Sequence, residues 1–255
     1  ADATINGVTV GKGANSVAGN TVLGESALDA SVSGGGNTAV GTSSLTALTS
    51  GTSNTAIGNS AMIANTTGAS NVAVGKNSLD ANTSGGSNVA LGNSSLGNNS
   101  TGSNNVAVGT QSLFTSSTAS KNTAVGYNSL YANTTGADNT AVGSNTLDAN
   151  TTGDFNNAFG KDALGSNTTG ENNNAFGLGA GFNNTTGNAN CFFGRDAGQS
   201  NSSGSNNVAV GHYALEENTT ASNNTALGYE ALQENTTASG NTAVGSLSLT
   251  ANTKG

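Results

Sequence analysis

The side chains that carry out most protein chemistry are sparse in this chain of 255 residues. It contains one histidine, His212, and one cysteine, Cys191. A general base needs positioned partners, and a zinc site needs several Cys, His or carboxylate ligands. We therefore interpret His212 as a solvated side chain and Cys191 as a small buried filler. The sequence predicts no catalytic residue, no metal site and no cofactor, and we expect that the chain is not an enzyme.

The acidic residues are scattered over positions that vary freely. Glu216, Glu217 and Glu234 share one corner of adjacent repeats and could hold a weak cation. A solvated acidic edge is the simpler interpretation, because the Gly-Gly-x-Gly-x-Asp repeat that binds calcium is absent.

Aromatic residues gather in one stretch, and this stretch supplies the candidate target contacts. Six of the seven Phe residues lie between Asp154 and Ser200. One interpretation is a locally thicker core; the alternative is a patch that contacts a receptor or glycan. Phe155 and Phe182, which stand at variable positions, are the best candidates for that contact, together with Tyr213.

A repeat of 17 residues must position all these side chains. An Asn recurs fourteen times from Asn20 to Asn241 without insertion or deletion, and a Gly always follows four residues later. Counted from this Asn, the unit reads Asn-Thr-Ala-Val-Gly-x-x-Ser/Ala-Leu-x-x-Asn-Thr-Thr-Gly-x-x. A fixed period of this kind indicates stacked units that are each too small to bury an apolar face alone.

The repeat predicts an all-β fold, a parallel β-solenoid of fourteen 17-residue coils over residues 20–255. Residues 1–19 lie outside the repeat and are expected to form a strand and turn that act as a cap or linker. Three constrained stretches alternate with three variable pairs, at positions six to seven, ten to eleven and sixteen to seventeen. Three sides and three corners describe a triangular coil.

Strand alternation divides the first side into two faces. Positions two and four are predicted to point inward, because position four is always Val, Ile, Leu or Phe. Position three is Ala in twelve of fourteen repeats, which suggests a flat outer face against a neighbouring chain. Ala73, Ala107 and Ala141 are therefore the candidate oligomer face, and we expect a homotrimer.

The predicted interior combines position four with the Leu column at position nine. Representative members are Val40, Ile57, Val74, Phe176, Leu79, Leu130 and Leu215. Position nine becomes Gly at Gly181 and Gly198, in the repeats where position four grows to Phe176 and Phe193. This exchange of volume suggests that the two columns meet in one core.

Two Asn columns predict hydrogen-bonded ladders along the stack. Position one is Asn in all fourteen repeats, and position twelve is Asn in eleven, with Ser116 as a substitute. Stacked amides can bond to one another from coil to coil. The Gly residues at positions five and fifteen fit turns with positive φ.

Charge and hydropathy exclude some partners. The net charge is −8, and only six residues are Lys or Arg, so there is no electrostatic footprint for nucleic acid. No apolar run reaches the roughly 20 residues that span a bilayer. No signal peptide is visible, and the chain opens Ala-Asp-Ala without Met, so we expect a mature or trimmed segment.

Two segments resemble known fibre proteins. Residues 122–136, Asn-Thr-Ala-Val-Gly-Tyr-Asn-Ser-Leu-Tyr-Ala-Asn-Thr-Thr-Gly, resemble arrays in phage tail fibres and in bacterial surface proteins that carry a C-terminal intramolecular chaperone. Residues 3–13 resemble the lead-in of such fibres. The Asn-Thr/Val-Ala-Val-Gly core is similar to the head repeat of trimeric autotransporter adhesins. The resemblance implies a homotrimeric fibre in a virion, outside the cell or at the cell surface, with a host glycan or receptor as partner.

The leading functional hypothesis is therefore a structural fibre or adhesin shaft that mediates or presents attachment. A first alternative is the subunit of an end-to-end filament, because the last repeat has no polar capping segment. A second is an ice- or surface-binding solenoid, suggested by Thr-rich columns such as those at Thr66-Thr67 and Thr236-Thr237.

Overall fold

The computed structural model describes residues 2–252 and is a parallel β-solenoid with one 17-residue coil per repeat and about thirteen turns. Each repeat contributes a three-residue strand at positions two to four. After β1 (Ala3–Ile5), β2 (Val8–Gly11) and a short 3-10 turn (Ala14–Ser16), the strands are β3 (Thr21–Leu23), β4 (Thr38–Val40), β5 (Thr55–Ile57), β6 (Val72–Val74), β7 (Val89–Leu91), β8 (Val106–Val108), β9 (Thr123–Val125), β10 (Thr140–Val142), β11 (Asn157–Phe159), β12 (Asn174–Phe176), β13 (Cys191–Phe193), β14 (Val208–Val210), β15 (Thr225–Leu227) and β16 (Thr242–Val244).

The chain divides into two compact units, residues 1–124 and 125–255, and the division falls within β9. In the first unit, β3 to β8 pair in chain order and in parallel. In the second unit, β10 to β16 do the same. Every pairing joins residues 17 apart, such as Ala56 and Ala73. The predicted solenoid and its register are therefore confirmed within each unit.

The N-terminal segment forms a hairpin, where the sequence suggested one strand and a turn. β1 and β2 pair antiparallel, and β2 also pairs antiparallel with β3. The Asp2 carboxylate accepts hydrogen bonds from the amides of Lys12 at 2.8 Å and Gly13 at 2.6 Å. The hairpin thereby lies against the first strand of the repeat.

The inward and outward faces of the strands are the reverse of the prediction. Ala73, Ala107 and Ala141 are completely buried, so they cannot form an oligomer face. Position four instead points to solvent: Ile57 is 39% exposed and Val74 is 37% exposed.

The other residues that were predicted to be buried behave differently at position four and at position nine. Val40 and Phe176, at position four, are half-buried where full burial was expected. Leu79, Leu130 and Leu215, at position nine, are fully buried as predicted. The Leu column therefore belongs to the core and the position-four column does not.

The physical reason is the narrow interior of the coil. The position-nine side chains reach across to position three, and this leaves room for little more than a methyl group there. Phe192, one of the two residues other than Ala at position three, demonstrates the contact, because it lies where Gly181 and Gly198 remove the Leu side chains. A Cβ atom on Gly181 would lie 2.6 Å from the Phe192 ring, and one on Gly198 would also collide with it. The predicted volume exchange is real, but its partner is position three rather than Phe176 and Phe193.

Both Asn ladders are present, and their rungs are buried except for the half-buried Asn241 and Asn252. At position one, the Asn156 Oδ1 accepts from the backbone amide of Asn173 at 3.0 Å and from its Nδ2 at 3.1 Å. At position twelve, the Asn82 Nδ2 donates to the Asn65 Oδ1 at 2.9 Å. Both columns also donate to the position-fifteen carbonyl of their own coil, as Asn82 does to Gly85 at 3.0 Å. The ladders thus tie coils to one another and close each coil on itself.

The two glycine columns have different causes. Position five has φ of +122° to +155° in the repeats, as at Gly75 with +140°, which is a region that favours glycine. Position fifteen does not have positive φ, contrary to the prediction. The glycine at position fifteen allows the backbones of neighbouring coils to approach each other closely, because a Cβ atom on Gly85 would collide with the Gly102 carbonyl of the next coil.

Candidate binding site

An open cleft lies on the second unit. Its volume is about 350 Å³, near the lower end of the range for small-molecule sites. The lining residues come from three consecutive coils and are Lys161, Asp162, Leu178, Gly179, Phe182, Arg195, Asp196 and Gln199.

The repeat explains how these residues come together. They occupy positions six, seven and ten, which share one outer face because the residues between them, at positions eight and nine, point into the core. Gly179 is the one glycine among the fourteen residues at position seven, where other repeats carry Ser, Asn, Gln, Asp, Glu, Tyr or Leu. A Cβ atom on Gly179 would collide with the Asp196 carboxylate. The glycine therefore leaves room for the Asp196 carboxylate of the next coil.

The floor of the cleft is apolar. Leu178 is 42% exposed and Phe182 is 36% exposed. The Phe182 ring lies over the preceding coil, where Gly165 leaves room for it; a Cβ atom on Gly165 would be 2.9 Å from the ring. The Phe182 ring therefore packs against the backbone at Gly165, and part of the ring remains exposed.

Two ion pairs flank this floor. The Lys161 Nζ lies 3.1 Å from the Asp162 Oδ2, and the Arg195 Nε donates to the Asp196 Oδ2 at 3.0 Å. Gln199 donates from Nε2 to the Asp196 Oδ1 at 3.1 Å. Asp196 is buried, but the Lys161 and Arg195 side chains remain 63% and 57% exposed. Asp196 thus orients Arg195 through Nε, and the cationic head remains accessible.

An aromatic cluster adjoins the cleft on the side of Arg195. The guanidinium carbon of Arg195 lies 6.0 Å from the centre of the Tyr213 ring. His212 stacks on Tyr213 with 3.8 Å between ring centres, and Tyr229 meets His212 edge-on at 5.9 Å. A hydrogen bond to Glu230 raises the pKa of Tyr229.

His212 and Cys191 differ from their predicted environments. The Nε2 atom of His212 is buried without a hydrogen-bond partner, so this side chain is not simply solvated. Cys191 is half-buried and lies at position two, on the outward face of its strand. It is not the interior filler that the sequence suggested, because the inward column is position three.

The three candidate contact residues do not form one patch. Phe182 lines the cleft, and Tyr213 adjoins it through Arg195. Phe155 is 52% exposed but stands at position seventeen and does not line the cleft. Sequence reasoning missed Arg195, Lys161 and Gly179. Two signals were available: Arg195 is the one arginine of the chain, and Gly179 is the one glycine in its column.

The acidic corner contains no evident metal site. Glu216 accepts a hydrogen bond from the Gln233 Nε2 at 2.7 Å, and Glu217 and Glu234 are exposed. Within residues 2–252, no group of three or more His, Cys, Asp or Glu side chains is arranged to hold a metal ion.

A second surface feature is the strand face, defined as positions two and four of the strands in each unit. Position four exposes one apolar side chain per coil. Examples are Leu91 at 36% and Leu227 at 46%. On the second unit, the Phe176 ring stacks on Phe159 at 4.7 Å and on Phe193 at 4.6 Å. Position four therefore forms a continuous apolar column along the strand face of each unit.

No helix among residues 2–252 has the length and apolar character to cross a bilayer. No protein-family model, curated protein or solved structure matches the chain.

Proposed function

We propose that the protein is a structural fibre or adhesin shaft that assembles through its strand face and presents attachment surfaces outside the cell or on a virion. The observation that carries this proposal is the apolar column at position four. All fourteen repeats carry Val, Ile, Leu or Phe there, and the side chains point outward. The expected assembly is a homotrimer in which the strand faces pack together.

The size of the strand face supports an assembly role. With a strand spacing of about 4.8 Å and a rise of about 3.3 Å per residue, six or seven three-residue strands cover roughly 300 Å² per unit. Position four supplies the apolar part of this face, and position two supplies Thr, Val, Asn or Cys. A contiguous apolar patch on a monomer is often functional. Covering the column with identical copies would remove it from water along the length of each unit.

The interior supports a mechanical role. The Asn ladders and the paired strands repeat in every coil, so the backbone is hydrogen-bonded continuously along each unit. Such a unit resists bending because any bend must break several aligned bonds together. We expect a stiff scaffold, and the resemblance of residues 122–136 to fibre arrays agrees with this role.

The test is the assembly state of Val74→Lys, which places a charge on the strand face of the first unit. We expect sedimentation velocity to give a trimer for the wild type and a smaller species for Val74→Lys with an unchanged circular dichroism spectrum. The matched control is Ser84→Lys, an exposed position of the same coil on another side. A monomeric wild type at micromolar concentration, or equal loss of assembly in both variants, would contradict the proposal.

Ice binding is less well supported. At position thirteen, the Thr66 hydroxyl donates to the Thr83 carbonyl at 3.0 Å, and Thr151 does the same to Thr168 at 3.0 Å. These hydroxyls are engaged with the backbone of the next coil, so of each Thr-Thr pair only the second hydroxyl remains for a surface. Measurable thermal hysteresis would favour this alternative over the shaft.

A further inference from the structure

We infer that the cleft on the second unit binds an acidic saccharide, with a sugar ring on the Leu178–Phe182 floor and a sugar carboxylate at Arg195. Such a ligand would be the attachment partner of the proposed shaft, and to that extent the inference rests on the proposed function. The cleft is formed by residues 161–199, which lie wholly within the second unit.

The floor has the chemistry that recognises one face of a sugar ring. A pyranose ring presents a flat face of C–H groups, which packs favourably on aromatic and aliphatic side chains. Phe182 and Leu178 supply such a surface, and both remain partly exposed. At Gly179 the Asp196 carboxylate occupies the space that a side chain would fill, so the ring would lie over Leu178 and Phe182 beside this carboxylate.

The polar groups are placed at the edges, where the hydroxyls and the carboxylate of a sugar acid project. Arg195 is held through Nε by Asp196, so its two terminal nitrogens remain as donors for a carboxylate. An oriented guanidinium binds a carboxylate with two parallel hydrogen bonds. The amide oxygen of Gln199 can accept from a hydroxyl while its nitrogen bonds Asp196.

The spacing of the cations suits a polymer that carries more than one acid group. Lys161 and Arg195 occupy position six of coils that are two apart, so their backbones are separated by about 9.6 Å. That distance corresponds to about two sugar residues in an extended chain. An oligosaccharide that follows the stack would place one ring over the floor and direct an acid group towards each cation.

The charges that line the cleft balance, whereas the whole chain is acidic. The chain carries −8 overall, yet two of its six basic residues line this one cleft. Polyphosphates and nucleic acids are disfavoured, because Asp162 and Asp196 neutralise the cleft and leave no net positive field. A ligand with isolated carboxylates and many hydroxyls fits this balance better.

The test compares acidic with neutral oligosaccharides in isothermal titration calorimetry on the full chain. The probes are trimers of α2,8-linked sialic acid and of galacturonic acid, with cellotriose as the neutral probe. We expect at least one acidic trimer to bind at least tenfold more tightly than cellotriose, with an affinity that falls as salt rises. Equal affinity for acidic and neutral probes, or no binding of any probe, would overturn the inference.

Variants assign any binding to the cleft. Arg195→Gln and Lys161→Gln should each weaken binding of the acidic trimer at least fivefold, and Gly179→Asn should abolish it by displacing the Asp196 carboxylate that orients Arg195. The Lys161→Gln variant should fold normally, because the Asp162 carboxylate that it leaves unpaired is partly solvated. The control is Lys76→Gln, at the same repeat position in the first unit. Unchanged affinity in Lys161→Gln and Gly179→Asn, with both variants folded, would also overturn the inference.

The result is separable from the assembly test. A wild type that forms trimers but binds no saccharide contradicts only the binding site. A monomer that binds the acidic trimer contradicts the proposed shaft and leaves the site intact.

Discussion

The Asn ladder at position twelve is interrupted at Ser116, and we predict that Ser116→Asn stabilises the first unit. In the structure, the Oδ1 of Asn99 and the Oγ of Ser116 are both buried without a hydrogen-bond partner. Serine is too short to reach the preceding rung. An Asn at this position would donate from Nδ2 to Asn99 and to the carbonyl of Ala119, as Asn82 does to Asn65 and Gly85.

The expected gain in the free energy of unfolding comes from giving the buried Oδ1 of Asn99 a hydrogen-bond donor. A buried acceptor without a partner costs about 1–3 kcal/mol, and fixing the longer side chain costs up to about 1 kcal/mol. The relief at Asn99 therefore sets the size of the gain. The net stabilisation should be about 1–2 kcal/mol. Ala119 does not block the change, since Asn218 bonds the carbonyl of Ala221 at 3.0 Å in the same arrangement.

Guanidinium denaturation and hydrogen exchange of peptides covering residues 96–119 measure the effect. The converse variant, Asn82→Ser, should create the same defect at Asn65 and lose about 1–3 kcal/mol. The reasoning would be refuted if Asn82→Ser were destabilising but Ser116→Asn gave no gain. In that case the gap at Ser116 would be satisfied by other means, such as a water molecule.

Four further predictions concern the core and one carboxylate. Leu130→Ala should lower the free energy of unfolding by about 2–5 kcal/mol, and a loss below 1 kcal/mol in guanidinium denaturation would contradict tight packing around it. Ala141→Glu should prevent folding rather than assembly, because its methyl group is buried; a folded monomer by circular dichroism would contradict this. Gly181→Ala should be destabilising, and Phe192→Ala should relieve that loss in the double mutant, with a coupling of about 0.5–3 kcal/mol in a thermodynamic cycle. Burial raises the pKa of Asp80, so the wild type loses stability as pH rises from the unfolded value of 3.8 through the raised folded value. Asp80→Asn should therefore be more stabilising at pH 7 than at pH 3, and an equal effect at both values would exclude this cause.

The sequence predicts the coil and both ladders because these depend on recurrence alone. Asn at a fixed interval of 17 can bond to its counterpart only if the counterparts are stacked. The inward face is harder to predict, because alternation separates two faces without saying which is inside. The usual preference for large apolar residues in the interior is wrong here, since the Leu column already fills a narrow coil. Phe192 opposite Gly181 and Gly198 was the signal in the sequence that could have decided between the faces.

The cleft could be predicted only in part. Phe182 was found because it lies in the Phe-rich stretch at a position that varies from repeat to repeat. Its neighbours were not found, because the sequence does not show that positions six and ten share a surface. That adjacency depends on left-handed backbone at positions seven and nine, as at Asp162 with φ of +58° and Leu164 with +49°. A leucine seldom adopts this conformation, so composition gives no indication of the turn.

The outward apolar column calls for a cause outside the single coil. Strand propensity alone does not provide one, because Thr has a similar preference for strands and already occupies much of position two on the same face. Core packing does not provide one either, because the side chains at position four point away from the interior. The persistence of Val, Ile, Leu or Phe in all fourteen repeats therefore favours burial against another surface. Of the available surfaces, the strand face of an identical copy has the matching 17-residue spacing. This match is the reason for proposing assembly through the strand face rather than through the cleft.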